Sequence, residues 1–172
     1  MLTSTQVTYL LSLDKKVFEN STYLTDYGIN GAAPIRQRII LKSEQDDEWI
    51  FLWSIDQSSK NLLKLSLHLQ ENQSYTGLIR VDFNGIHENP GKVKPGLPVD
   101  LIPYVGHRFE YSTPHIHIFV DGYKPLAWAR PLNVQQFSVS EIITQEDACK
   151  AIEAFARIIN LSTNLNISRT LL

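Results

Sequence analysis

Little in this sequence would suit a disulfide-bonded, zinc-caged or membrane-spanning protein. It holds a single cysteine, Cys149, so neither an intrachain disulfide nor a cysteine-built zinc cage is open to it. That fits a reducing cytoplasm. No apolar run is long enough to cross a bilayer. The opening "MLTSTQVTYLLSLDKK" lacks the basic start and long apolar centre of a signal peptide. Charge of either sign is not in excess. The net charge is −2 over 172 residues and the pI about 6.2, which gives no bulk attraction to nucleic acid or to an anionic membrane, although a local basic groove is compatible with it. Neither a His-Glu-x-x-His helix nor a cysteine pair marks a metal centre.

What is present is ordinary globular material, 43% hydrophobic and 20% charged. The length suits one domain, residues 1–172, with a real core. Thr3 and Gln6 have the spacing of a capping box. Val7, Leu10, Leu11, Val17 and Phe18 then fall mostly on one helical face, interrupted by Asp14. "STYLTDYGINGAAP" reads as a loop because Gly28, Gly31 and Pro34 break it.

Strand-like runs follow. Residues 35–42 alternate, with Ile35, Ile39 and Leu41 on one side. Residues 48–56 are apolar on both faces, as in a central strand. Residues 62–70 alternate leucines with Lys64, Ser66, His68 and Gln70. Residues 77–85 set Ile79, Val81 and Phe83 against Arg80, Asp82 and Asn84. Short turns between these runs predict antiparallel pairing in chain order.

Prolines and glycines punctuate residues 85–114 and exclude long regular structure there. Structureless segments of this length in a compact domain are uncommon and often functional. Strands over 115–121 and 126–132 come next. The last helix is capped by Thr144 and carries Ala148, Ile152, Phe155 and Ile159 as its apolar stripe; fraying is expected after Ser162. The expected fold is α+β: an antiparallel sheet of about six strands with an N-terminal and a C-terminal helix on one face.

The strand "PHIHIFVD" carries the chemistry. Alternation puts Ile116, Ile118 and Val120 on one face, and His115, His117, Phe119 and Asp121 on the other. Arg80 and Asp82 face away from the apolar side of their own strand. All four therefore share one sheet face if both strands bury their aliphatic residues, and His68 joins them through the preceding hairpin. The 85–114 segment begins and ends beside this group and brings His87, His107 and Arg108. Lys124 in "GYKPLAWA" is a further ligand-facing candidate, or simply an exposed turn residue.

Three readings of the histidine pair stand side by side. The two imidazoles are a solvated or hydrogen-bonded pair on the polar side of a strand. Alternatively they hold a divalent metal with Asp82 or His87. In the third they work as a metal-free acid–base pair, since histidine titrates near neutrality, with Arg80 as a bidentate phosphate clamp and Asp82 orienting an imidazole. That combination suits RNA cleavage through the 2′-hydroxyl. The third position of a His-x-His-x-His motif is Phe119, which excludes a histidine-triad enzyme. For Asn84 and Gly85 turn chemistry is the expected role. Trp49, Trp53 and Trp128 are expected in the core, and Cys149 is expected packed within the last helix.

"LIRVDFNGIHENP", "PHIHIFVDGYKPLAWA" and "AIEAFARIINL" together resemble a family of short uncharacterised bacterial proteins over most of the chain. More distantly, the layout is similar to the TumE-type toxins of bacterial toxin–antitoxin pairs, which combine an Arg-x-Asp strand, a histidine-bearing loop, a His-x-His strand and a C-terminal helix. Residue by residue, that likeness points to Arg80, Asp82, His115 and His117. This chain is longer and adds the proline-rich segment and the N-terminal elements. The expectation is a cytoplasmic bacterial protein, a metal-independent ribonuclease of toxin or defence type. Its catalytic residues would be His115, His117, Asp82 and Arg80, and its substrate contacts His68, His87, His107, Arg108 and Lys124. It needs no cofactor, and its partner is RNA or protein. The alternative is a non-enzymatic protein-binding module such as a regulator or a mobile-element inhibitor.

Overall fold

Thr3 opens the first helix, α1 (Ser4–Ser12), with both halves of the capping box formed: its side chain accepts from the Gln6 amide, and the Gln6 side chain returns to the Thr3 amide. These observations come from a computed structural model, which describes residues 2–168. The helix stops sooner than the apolar pattern predicts. Ser12 Oγ donates back to the Tyr9 carbonyl, a local bond that competes with helix continuation. Val17 and Phe18 then lie in a strand, β1 (Lys16–Glu19). Pairing of Val17 with Leu24 and Leu41 outweighs the helical spacing.

The segment expected as a loop contains two short strands, β2 (Thr22–Leu24) and β3 (Asp26–Asn30). Both consist mostly of exposed or half-buried residues, so they lack the apolar alternation that marks a strand. The expected strands are then met in order as β4 (Arg36–Lys42), β5 (Ile50–Gln57), β6 (Leu65–Glu71) and β7 (Thr76–Phe83). Within residues 85–114 lie a minimal hairpin, β8 (His87–Glu88) with β9 (Arg108–Phe109), and a 3₁₀ turn over Val99–Tyr104. After them come β10 (His115–Ile118), β11 (Trp128–Pro131), a helical turn α2 (Val134–Phe137) and the helix α3 (Gln145–Ile158).

The main sheet has eight strands in the order β11-β10-β7-β6-β5-β4-β1-β2, with every neighbouring pair antiparallel. All six expected strands belong to it; the unexpected two, β1 and β2, form one edge. The fraying expected after Ser162 is not seen as far as Ser168, and residues 169–172 of that expectation lie outside the described residues. Asn164–Ser168 forms β12, which pairs in parallel with β3.

One face of the sheet carries the main core. Ile39, Leu41, Trp53, Ile55, Leu67, Leu69, Val81 and Phe83 join Val7 and Leu10 of α1 and Ile152 and Phe155 of α3 in a single buried cluster. Trp53 stacks on Phe155 at 6.1 Å between ring centroids. Thr144 caps α3 as expected, with Asp147 completing the capping box. Cys149 is buried in that helix. A second cluster joins Leu101 of the 3₁₀ turn to Val120 and Trp128. It ties the 85–114 segment to the β10–β11 end of the sheet.

Candidate functional site

Strand register decides which polar side chains meet. In the β7–β10 pair, His115 lies opposite Asp82 and His117 opposite Arg80. In the β6–β7 pair, Ser66 lies opposite Asp82 and His68 opposite Arg80. Directly opposed residues of antiparallel strands share a face. The sheet therefore presents a patch three strands wide: His68, Arg80 and His117 in one row, Ser66, Asp82 and His115 in the next. The aliphatic partners Ile116–Val81 and Ile118–Ile79 take the other face, as alternation requires.

Of the first reading of the histidine pair, the solvated form is overturned here and the hydrogen-bonded form is met. His115 and His117 are fully buried. The 85–114 segment folds over them and brings the rings of Phe109 and His87 to 4.8 and 5.9 Å from that of His115, with His87 edge-on to His117 at 4.3 Å. Asn89, itself buried, fastens this cover. Its amide donates to the Tyr104 and Ala129 carbonyls, and its Oδ1 accepts from the Ala129 amide at 2.7 Å. The patch stays open on the Arg80 side: the Arg80 and Asp82 side chains are 33% and 16% exposed.

Partners fix the protons of the imidazoles. His115 Nδ1 faces the Thr113 carbonyl at 2.8 Å and His117 Nδ1 faces the Leu126 carbonyl at 3.0 Å. A carbonyl only accepts, so both Nδ1 atoms carry hydrogen, and in the neutral rings both Nε2 atoms carry lone pairs. His117 Nε2 accepts from Arg80 Nη2 at 2.8 Å while Arg80 Nε donates to Asp82 Oδ2 at 2.9 Å. His117 Nε2 also stands 3.0 Å from Asp82 Oδ2. When His117 is neutral, two lone pairs face each other across that gap, held together by the guanidinium fork. When it is protonated, Nε2–H donates to the carboxylate. His115 Nε2 lies 3.8 Å from the same Oδ2 and has no hydrogen-bond partner among the described residues. Ser66 Oγ donates to Asp82 Oδ1 at 2.6 Å.

Electrostatics follow from this burial. Desolvation pushes His115 and His117 below the ordinary imidazole value, and the Thr113 carbonyl at His115 and the Asp82 carboxylate at His117 recover only part of the shift. His68 is pushed down to about 4 by burial first and by Arg80 second. Its Nε2 is likewise unpartnered among the described residues, and it and the Leu126 side chain both border the space that Gly77 leaves by having no Cβ. Burial would raise the Asp82 carboxyl. The His117 hydrogen bond, the Arg80 charge and the Ser66 hydroxyl overcome that and hold it well below the usual carboxylate range. The patch at neutral pH is thus an anion, a guanidinium and neutral imidazoles.

The remaining expected site residues divide. His87 joins the cluster, half-buried, with Nε2 donating to the Ala127 carbonyl and Asn89 Oδ1. His107 is exposed and packs edge-on against Phe109, which stands between it and His115. Arg108 is exposed and paired with Glu110. Lys124 is an exposed turn residue whose carbonyl accepts from the Ala127 amide. These three are not brought into the patch: Arg108 turns outward from β9, His107 precedes that strand behind Phe109, and Lys124 lies in the exposed turn between β10 and β11. Asp121 leaves the histidine face: β10 ends at Ile118, and Asp121 Oδ1 instead accepts from the Ser4 amide of α1. Phe119 packs against the main core for the same reason. Asn84 adopts a left-handed φ of 53° and donates to the Leu63 carbonyl, the turn role expected of it. Ser66 was legible in principle, since it alternates with His68 on β6. Asn89, Phe109 and the Thr113 and Leu126 carbonyls carry no sequence signal.

Comparison with known proteins adds a family and no activity. No curated protein matches the chain significantly, and no solved structure does. Among the described residues, no helix is long and apolar enough to cross a membrane. A family model described as "Family of unknown function (DUF6978)" matches residues 2–161, and the chain belongs to that family.

Proposed function

We propose that this chain is a metal-independent ribonuclease, of bacterial toxin or defence type, acting at the Arg80–Asp82–His115–His117 patch. The observation that carries the reading is the buried lone pair on His115 Nε2, unpartnered among the described residues and set beside a carboxylate and a guanidinium. A neutral imidazole with a free nitrogen is a competent general base near neutral pH, and its lowered proton affinity keeps it in that form. Arg80 lies on the open side and offers a phosphate the guanidinium N–H groups that do not hold His117 and Asp82.

In this mechanism His115 Nε2 takes the proton of a 2′-hydroxyl and O2′ attacks the adjacent phosphorus. The P–O5′ bond breaks, and the products are a 2′,3′-cyclic phosphate and a 5′-hydroxyl. His117 Nε2, neutral at rest, takes up a proton from solvent on the open Arg80 side, becomes an imidazolium, and delivers that proton to the leaving O5′ oxygen. Asp82 stabilises that imidazolium and Ser66 holds the carboxylate in place. The distant likeness to TumE-type toxins supports the same four residues. A protein-binding module is the second reading, favoured by Val99 and Ile102, which are 80% and 54% exposed on the 3₁₀ turn.

One assay separates the two. Cleavage of single-stranded RNA by the wild type is expected to fall about 10²- to 10⁴-fold in His115→Ala and Asp82→Asn. Equal activity in wild type and variants overturns the assignment. No cleavage by any version, the wild type included, favours the binding module.

A further inference from the structure

We propose that Asp82, His115 and His117 form a binding site for one divalent transition cation of the zinc class, and that the cation displaces Arg80 from His117. The donor atoms are already gathered. His115 Nε2, His117 Nε2 and an Asp82 carboxylate oxygen all lie within 4.8 Å of one another. The contacts to Oδ2 are 3.0 and 3.8 Å. Ligands about 2.0–2.1 Å from a tetrahedral zinc ion stand roughly 3.3 Å apart, so the observed contacts bracket the required spacing.

The surroundings match those of metal-bound histidines. Such an imidazole usually donates its second nitrogen to a carbonyl or carboxylate, which fixes tautomer and ring orientation. Here both Nδ1–H groups are already committed to backbone carbonyls, of Thr113 and Leu126. The independent observation is His115 itself. It is wholly buried, and its Nε2 points into the cluster with no partner among the described residues. A buried acceptor left unpaired is destabilising, and a cation removes that cost. It also relieves the lone pairs that face each other across the His117–Asp82 gap.

The donor set names the class of ion. Two imidazoles and one carboxylate suit zinc, cobalt, nickel or copper, whereas magnesium and calcium take all-oxygen shells. Three protein ligands leave a fourth position on the Arg80 side, where the patch is open. Arg80 is the competing cation. Its fork now holds His117 Nε2 and Asp82 Oδ2, and its partly exposed side chain is free to swing outward.

Binding stands on this geometry alone. One consequence rests on the proposed ribonuclease reading: the metal uses the lone pair that the general base needs, so occupancy inhibits cleavage.

The test uses full-length protein, produced without a histidine tag and stripped with chelator. Zn²⁺ is titrated calorimetrically and Co²⁺ by its visible absorption. The wild type is expected to bind one equivalent. Affinity is expected to fall by about tenfold or more in His115→Ala, His117→Ala and Asp82→Asn, and to rise in Arg80→Gln. Asp82→Asn is nearly isosteric and keeps the comparison valid if an alanine variant fails to fold. No stoichiometric binding by the wild type, or equal binding by a folded Asp82→Asn, overturns the site. Unchanged affinity in Arg80→Gln overturns the displacement. Metal binding without any RNA cleavage leaves the site standing and removes the ribonuclease. Cleavage without metal binding does the reverse. Cleavage that requires Zn²⁺ overturns the inhibitory consequence.

Discussion

Lys15 is the clearest single residue whose chemistry is set by its place in the fold. It is fully buried, donates to the Leu13 and Leu11 carbonyls at 2.8 and 3.2 Å, and sits 5.0 Å above the Phe51 ring. It therefore caps the C-terminal carbonyls that α1 leaves open. Burial pulls its ammonium down to about 7 from 10.5, against the pull of Asp14. Between those two values the unfolded chain holds a proton that the folded chain has lost. Stability from this group therefore rises with pH from about 7 toward 10, and below 7 the whole desolvation cost is felt. The urea midpoint of the wild type, relative to Lys15→Met, is expected to climb between pH 7 and 9.5. A flat difference would show that the carbonyls and Phe51 keep Lys15 fully charged. At the same scale, the pairing of His115 and His117 with Asp82 and Arg80 was legible, because alternation needs only neighbouring residues. Their burial was not, because the residues that cover them, His87 and Phe109, come from the 85–114 segment and carry no periodic signal.

Among the elements, that segment is the one the sequence left blank. Prolines and glycines excluded long regular structure, and the segment holds only two-residue strands and a 3₁₀ turn over Val99–Tyr104, but composition does not say where a loop lies. Its position is set by tertiary bonds, chiefly those of Asn89 to β11 and of Leu101 to Trp128. Asn89→Ala removes bonds on both faces of the amide and leaves the Ala129 N–H and C=O buried without partners. A loss of about 1–3 kcal/mol is expected. The effect should be local as well as global: the Ala129 amide is expected to lose hydrogen-exchange protection ahead of β5 and β6, which lie deep in the sheet. Protection lost uniformly across the sheet would mean that the cover and the sheet unfold as one unit. The opposite error occurred at β2, β3 and β12. These strands bury few side chains, so they exist by backbone pairing, and apolar patterning cannot announce them.

Residues 15–31 and 161–168 meet across the molecule, and neither segment shows this alone. β12 lies parallel to β3, Thr163 Oγ1 accepts from the Val17 amide and donates to the Leu24 carbonyl, and Gly31 closes the pair. A Cβ at Gly31 would stand 2.4 Å from the Ser168 carbonyl oxygen, 3.0 Å from Ile167 and 3.2 Å from Cys149 Sγ. Backbone cannot yield at that distance as a flexible side chain can, so only glycine lets β12, β3 and α3 converge there. Gly31→Ala is therefore expected to push β12 away from β3 while leaving the eight-stranded sheet intact, since no strand of that sheet depends on β12 for pairing. Cys149 reports the movement. Its thiol is buried in the wild type and should react slowly with an aromatic disulfide reagent. In Gly31→Ala, and in a chain ended at Ser162, it is expected to react many times faster under native conditions, with the far-ultraviolet circular dichroism of the sheet retained. Thiol reactivity unchanged in both variants would mean that α3 and the sheet seal Cys149 without β12, leaving the terminal strand as an attachment rather than a wall of the core.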